Sequence, residues 1–122
     1  MKKTEFRNRV RETLKLEVED VSAYQKTSIV RQCAVDSESE MEYDDSMTNK
    51  PWTDEQLRFI LTTPPTKENC IRLAHAFKRG FGGIQQIFQW AATPKSKIDE
   101  MFQPGSFQHR VKRLAKEVGW VI

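Results

Sequence analysis

Before residue 51 the chain contains neither proline nor glycine; all five of each lie at or beyond Pro51. These two residues punctuate regular structure most strongly, so an uninterrupted N-terminal region meets a punctuated C-terminal one near residue 50. Cysteine is also scarce. Cys33 and Cys70 fit neither a disulfide framework nor a zinc cluster, which points to a reducing cytosol, bacterial or nuclear. No apolar run approaches the roughly 18 residues that a bilayer span needs, so no membrane association is expected. The opening MKKTEFRNRVRE is charged, with no apolar stretch behind it, unlike a secretory leader. His75 and His109 are far apart, and no Ser/His/Asp order or paired-carboxylate setting accompanies them. The acids between 36 and 45 lack the glycine and spacing of a calcium loop. The chain therefore reads as a non-enzyme, with no cofactor and no metal site.

What is present is charge, unevenly spread. The formal net charge is only +3, yet residues 35–49 hold six acids and no base. Residues 1–34 carry eight bases against five acids, and residues 50–122 carry twelve against six. A basic C-terminal body behind an acidic strip suggests an anionic partner, with residues 35–50 as a flexible linker or an internal competitor.

Phe6, Val10 and Leu14, continued by Val18 and Val21, fit an amphipathic helix over 4–20. A second helix is expected over 22–34, although Leu14, Leu16 and Val18 and part of TSIVRQCAV also alternate like strands. After Pro51 the signals sharpen. Thr53 and Gln56 form a capping box, Trp52 is placed to staple onto Leu57, and Asp54 and Glu55 suit the positive end of a helix. Leu57, Ile60 and Leu61 form its apolar stripe, and Pro64-Pro65 ends it. Thr66 caps a second helix with Cys70, Leu73, Ala74 and Phe77 on one face, and Gly80 is expected to terminate it. Gly82-Gly83 opens a third helix, striped by Ile84, Ile87, Phe88 and Ala91. A short helix over 96–102 is expected next. The last helix, capped by Ser106, carries Phe107, Val111, Leu114, Ala115 and Val118 and stops at Gly119, with Trp120 folding back onto the core.

PWTDEQLRFIL, RLAHAF and IQQIFQWA together resemble the Myb/SANT-like DNA-binding domain and its relatives among small prokaryotic and phage regulators. Trp52 with Thr53 and the two following acids matches the start of the repeat. Leu73-Ala74 matches its second helix, Arg79 the arginine before its third, and Phe88 or Trp90 falls near its last tryptophan. The likeness covers roughly residues 51–93; the repeat's middle tryptophan is absent and the turn RGFGG is rich in glycine. It implies an all-α chain: an N-terminal helical segment (1–34), an acidic linker (35–50), a trihelical helix-turn-helix body (51–93) and a basic C-terminal extension (94–122).

With the apolar stripe inward, the third helix presents Gln85, Gln86 and Gln89. Glutamine can donate to and accept from adenine at once, which makes these the expected base readers. Gly82 and Gly83 would let a phosphate approach the helix N-terminus. Lys78, Arg79, Lys95 and Lys97, with Arg110 and Lys112 of the last helix, are the expected phosphate ligands. The plain alternative is that the glutamines are ordinary solvent-facing helix formers. The expected partner is double-stranded DNA, in transcriptional control in a bacterium or phage, with residues 4–34 as a homodimer seam. The alternative is a protein-binding module, such as a phage-encoded inhibitor of a host protein.

Overall fold

Thr53, Thr66 and Ser106 each place a hydroxyl where a helix leaves its first N–H groups unpaired, and each becomes an N-cap. In the computed structural model, which describes residues 1–121, they accept from the backbone N–H of Gln56, Asn69 and His109. The chain is all-helical, with seven helices and no strand among the described residues: α1 Lys3–Lys15, α2 Ala23–Glu40, α3 Asp54–Leu61, α4 Lys67–Phe77, α5 Phe81–Ala92, α6 Lys95–Met101 and α7 Phe107–Glu117. No described helix is long and apolar enough to cross a membrane. The chain divides into two compact units, residues 1–41 and 42–122.

The first unit pairs α1 with α2. Its strand-like alternations resolve as helix. Ser22 and Gln25 make a reciprocal capping box at the start of α2, and Lys26 donates from Nζ to the carbonyls of Leu14 and Leu16 at the end of α1. The expected flexible strip is shorter than its composition suggested. Residues 35–40 continue α2, because no proline or glycine interrupts the run of helix-compatible residues. Neither helix contains a buried residue.

The second unit holds the core. Leu57, Ile60 and Leu61 of α3 meet Cys70, Leu73 and Ala74 of α4, Ile84, Ile87, Phe88 and Ala91 of α5, and Val111, Leu114 and Ala115 of α7. The stripes predicted after Pro51 supply this core, with Phe77, Phe107 and Val118 half-buried against it, while Ile71, outside those stripes, is also buried and the stripe predicted over 4–20 buries no residue. The last helix is a structural member of this core. α7 packs on both α3 and α5, so a boundary at residue 94 would cut through one apolar cluster. α6 packs on α7, and its Ile98 is fully buried.

Two turns fix how the helices follow one another. α4 ends at Lys78, which adopts the left-handed region at φ 57°, and Gly80 becomes the N-cap of α5; the terminator expected at Gly80 is thus two residues earlier. At the end of α7, Gly119 takes φ 108°, a conformation that suits glycine. That turn sends Trp120 back, as expected: its indole N–H donates to the Leu61 carbonyl at 2.8 Å and its ring stacks on Phe88.

Because every buried residue lies beyond Glu42, a fragment of residues 42–122 should retain a cooperative thermal transition by circular dichroism. Thr53→Ala should lower its stability by about 1 kcal/mol, a fall of roughly 4–8 °C in Tm for a domain of this size.

Candidate functional site

Residues 42–52 form a strap across the turn between α4 and α5, and its attachment follows from one side chain. Arg79 is 3% exposed and donates from Nη2 to the Pro51 carbonyl at 3.0 Å and from Nη1 to that of Lys50. Its guanidinium carbon lies 3.8 Å from the centroid of the Trp52 ring, a cation–π contact. Further bonds fasten the strap: the Tyr43 hydroxyl donates to the Arg79 carbonyl at 2.6 Å, and the Gly80 N–H donates to the Thr48 hydroxyl at 3.0 Å. The Met47 N–H reaches the Lys78 carbonyl, and the Tyr43 ring stacks on His75. Burial pulls the Arg79 pKa below its ordinary value.

This geometry corrects part of the expected phosphate set. Arg79 is buried and engaged with main-chain oxygens, so it is withdrawn from the anion-facing surface. Lys112 is buried as well. Its Nζ donates to the Ala91 carbonyl at 2.9 Å at the end of α5, and desolvation lowers its pKa. Arg110 is half-buried, donating from Nε to Asp54 at 2.6 Å and from Nη2 to the Trp52 carbonyl. The hydrogen bond from Arg110 is the main reason that the Asp54 carboxyl titrates below the usual carboxylate range. Lys95 and Lys97 are exposed, but they follow the far end of α5, a 12-residue helix about 18 Å long, whereas the glycines they were expected to flank lie in its first turn. Lys78 remains at the near end, exposed, with Asp44 at 3.5 Å.

Gln85, Gln86 and Gln89 are all exposed on the outer side of α5. They form a ridge between two concavities. On one side Gln85 and Gln89 line a groove of about 530 Å³ with Pro65 and Lys67 from the start of α4. On the other, Gln86 and Gly83 line a cleft of about 550 Å³ closed by Lys50, Trp52, Phe107 and Arg110. Gly82 and Gly83 lie inside the first turn of α5, exposed. The reading by pattern did not single out Asn49, Lys50 or Phe107 as cleft residues. Only Trp52, placed before a cap, signalled that this stretch would pack.

Neither histidine stands free. His75 is stacked, and His109 bonds Ser106 at 2.8 Å and Asp99 at 2.9 Å. Cys70 is buried in the core, which raises its pKa, as for an unreactive thiol.

Residues 46–121 match the family described as "Uncharacterised protein PM1205 C-terminal domain". Over 121 residues, covering 97% of each chain, the sequence is 34% identical to the protein described as "Uncharacterized protein PM1205" from Pasteurella multocida (strain Pm70). No solved structure matches.

Two outcomes follow from the strap's chemistry. Arg79→Lys should cost roughly 1–3 kcal/mol in denaturant unfolding, since an ammonium lacks the planar fork that serves two carbonyls and lies flat on an indole. The depressed Asp54 pKa makes its contribution fully present above the unfolded carboxylate pKa of about 3.9 and lost as pH falls through the folded value. Asp54→Asn should therefore flatten the fall of Tm below about pH 5, compared in parallel melts with the parent chain.

Proposed function

The chain belongs to the PM1205 C-terminal domain family, and for it we propose sequence-directed binding of double-stranded DNA through the outer face of α5. The observation that carries this reading is the ridge of Gln85, Gln86 and Gln89. All three are exposed on a helix whose opposite side, Ile84, Ile87, Phe88 and Ala91, closes the core. Such a helix can enter a major groove about 12 Å wide without disturbing its own packing. Each glutamine amide matches the paired donor and acceptor of an adenine edge.

The cations support the same docking in a new arrangement. Lys50 and Lys78 stand near the N-terminal end of α5 and Lys95 and Lys97 beyond its C-terminal end, with Lys67 beside the Gln85–Gln89 groove. A helix lying in a groove is bordered by a phosphate strand on each side, so bases at both ends can neutralise both strands. The resemblance of residues 51–93 to the Myb/SANT-like domain points the same way, with α4 and α5 as the helix-turn-helix pair.

The first unit supplies a seam for a second copy. Phe6, Leu16, Val18, Tyr24 and Ile29 are exposed there, and residues 4–34 would bring two α5 helices to paired half-sites. Those same apolar residues favour the second reading, a module that captures a host protein through its N-terminal helices.

Selection of fragments from a random duplex pool should enrich a motif, symmetric if the seam forms a dimer. Gln85→Ala or Gln89→Ala should relax preference at one base pair at a cost of roughly 1–3 kcal/mol. Lys78→Glu should weaken binding to all duplexes and reduce the slope of log affinity against log salt by about 1. Absence of duplex binding at low salt, alongside a tight protein complex through residues 1–45, would replace this reading with the second.

A further inference from the structure

The helix pair of residues 1–41 buries too little to hold itself together. Neither α1 nor α2 contains a buried residue: Val10, Leu14, Val21, Val30 and Val35 are only half-buried, and Phe6 and Ile29 are exposed. Units of about 40 residues are usually held by disulfides, by metals or by association. Cys33 is a free thiol, and the described residues include no cluster that could hold a metal ion. What remains is a covering surface from outside the unit.

The charge of the unit says what that surface is. Residues 1–41 are neutral, with eight bases against eight acids, but the signs are segregated. Residues 1–16 hold six of the bases and two of the acids, and residues 17–41 hold two and six. A partner of one strong sign gains no net attraction from such a unit, whereas a second copy related by a two-fold axis does. The placement is specific as well. Lys3, Arg7, Arg11 and Lys15 recur every fourth residue, a basic line beside the stripe of Phe6, Val10 and Leu14. Ile29, Cys33, Asp36 and Glu40 share one side of α2, which turns from apolar to acidic along its length. The charges are not spent within the chain: among the described residues none of those four bases forms an ion pair, and neither does Glu40.

We propose that residues 1–41 of two copies associate as an up-down four-helix bundle, each α1 antiparallel to the other copy's α2, and that this contact orders the helix pair. Antiparallel neighbours put the first turns of α1, with Lys3 and Arg7, beside the acidic last turns of the facing α2. The two-fold axis makes that contact twice. The proposal rests on the seam named above, whose occupant and orientation it fixes, and it does not need the duplex reading.

The test is sedimentation of the full chain over a concentration series, without DNA. A two-chain mass that gives way to one chain on dilution is expected, with association weakening as salt rises. Dilution should also lower the helical circular dichroism while the emission of Trp52, Trp90 and Trp120, all beyond residue 41, stays constant. Lys3→Glu with Arg7→Glu should weaken self-association at least about tenfold, and so should Asp36→Lys with Glu40→Lys. Both pairs of changes suit the dipole at their own helix ends, so neither should melt its helix. An equimolar mixture of the two variants should recover the parent's affinity to within about threefold, a rescue that lost folding cannot produce. A chain that stays single at every concentration would overturn the proposal, and its tight complex with another protein would pass the seam to the second reading. Variants that associate like the parent, a mixture no tighter than either variant, or dissociation without loss of helix would overturn it too. Duplex selection by a single chain would leave the α5 reading intact, and a dimer that ignores duplexes would uphold the bundle while sinking that reading.

Discussion

The guanidinium of Arg79 is the constraint on which the second unit's surface depends. A cation so deeply covered is costly unless its donors find acceptors, and here the acceptors are main-chain carbonyls of a segment some 28 residues earlier. That bond draws the strap against the α4–α5 turn, brings Trp52 over the cation, and so creates one wall of the cleft. The left-handed Lys78 and the Tyr43 hydroxyl serve the same junction, holding the turn from the other side. Together with the Thr48 hydroxyl at Gly80 and the Arg110 bond to the Trp52 carbonyl, the grip holds residues 48–52 at the start of α5.

The consequence for recognition is a division of labour among basic residues. Those with buried or half-buried heads, Arg79, Lys112 and Arg110, join segments of the fold through carbonyls and one carboxylate. Among those left at the surface, Lys50 and Lys67 line the concavities beside α5, Lys78 precedes it and Lys95 and Lys97 follow it, where they set the potential that an anionic partner would meet. The acidic residues of the strap remain close to this region, as the 3.5 Å approach of Asp44 to Lys78 records. Such an exposed pair contributes little to stability, but it does place negative charge beside one end of the ridge.

Much of this was legible in the sequence, because caps and stripes are local. Thr53, Thr66 and Ser106 name three helix starts to the residue, and the stripes of α3, α4, α5 and α7 name the core. The exposed glutamines follow from the same periodicity. What the pattern concealed depended on distant partners. Lys112 lies on the nominally polar side of α7, yet it is covered because the last turn of α5 ends above it with a free carbonyl. Arg79 reads as a surface base until the strap is placed over it. Lys95 and Lys97 are near the glycines in sequence but not along the axis of the intervening helix. The acidic strip was divided wrongly by composition alone, its first part continuing α2 and its second part packing as the strap.

The Arg79 clasp also has a bearing on divergence. It closes on the oxygens of Lys50 and Pro51 that belong to the peptide unit, which any amino acid supplies. Relatives can therefore exchange the side chains at those two positions, retuning the rim of the cleft, while a single arginine keeps the segment in place. Drift at the rim of the cleft is thereby uncoupled from drift in architecture.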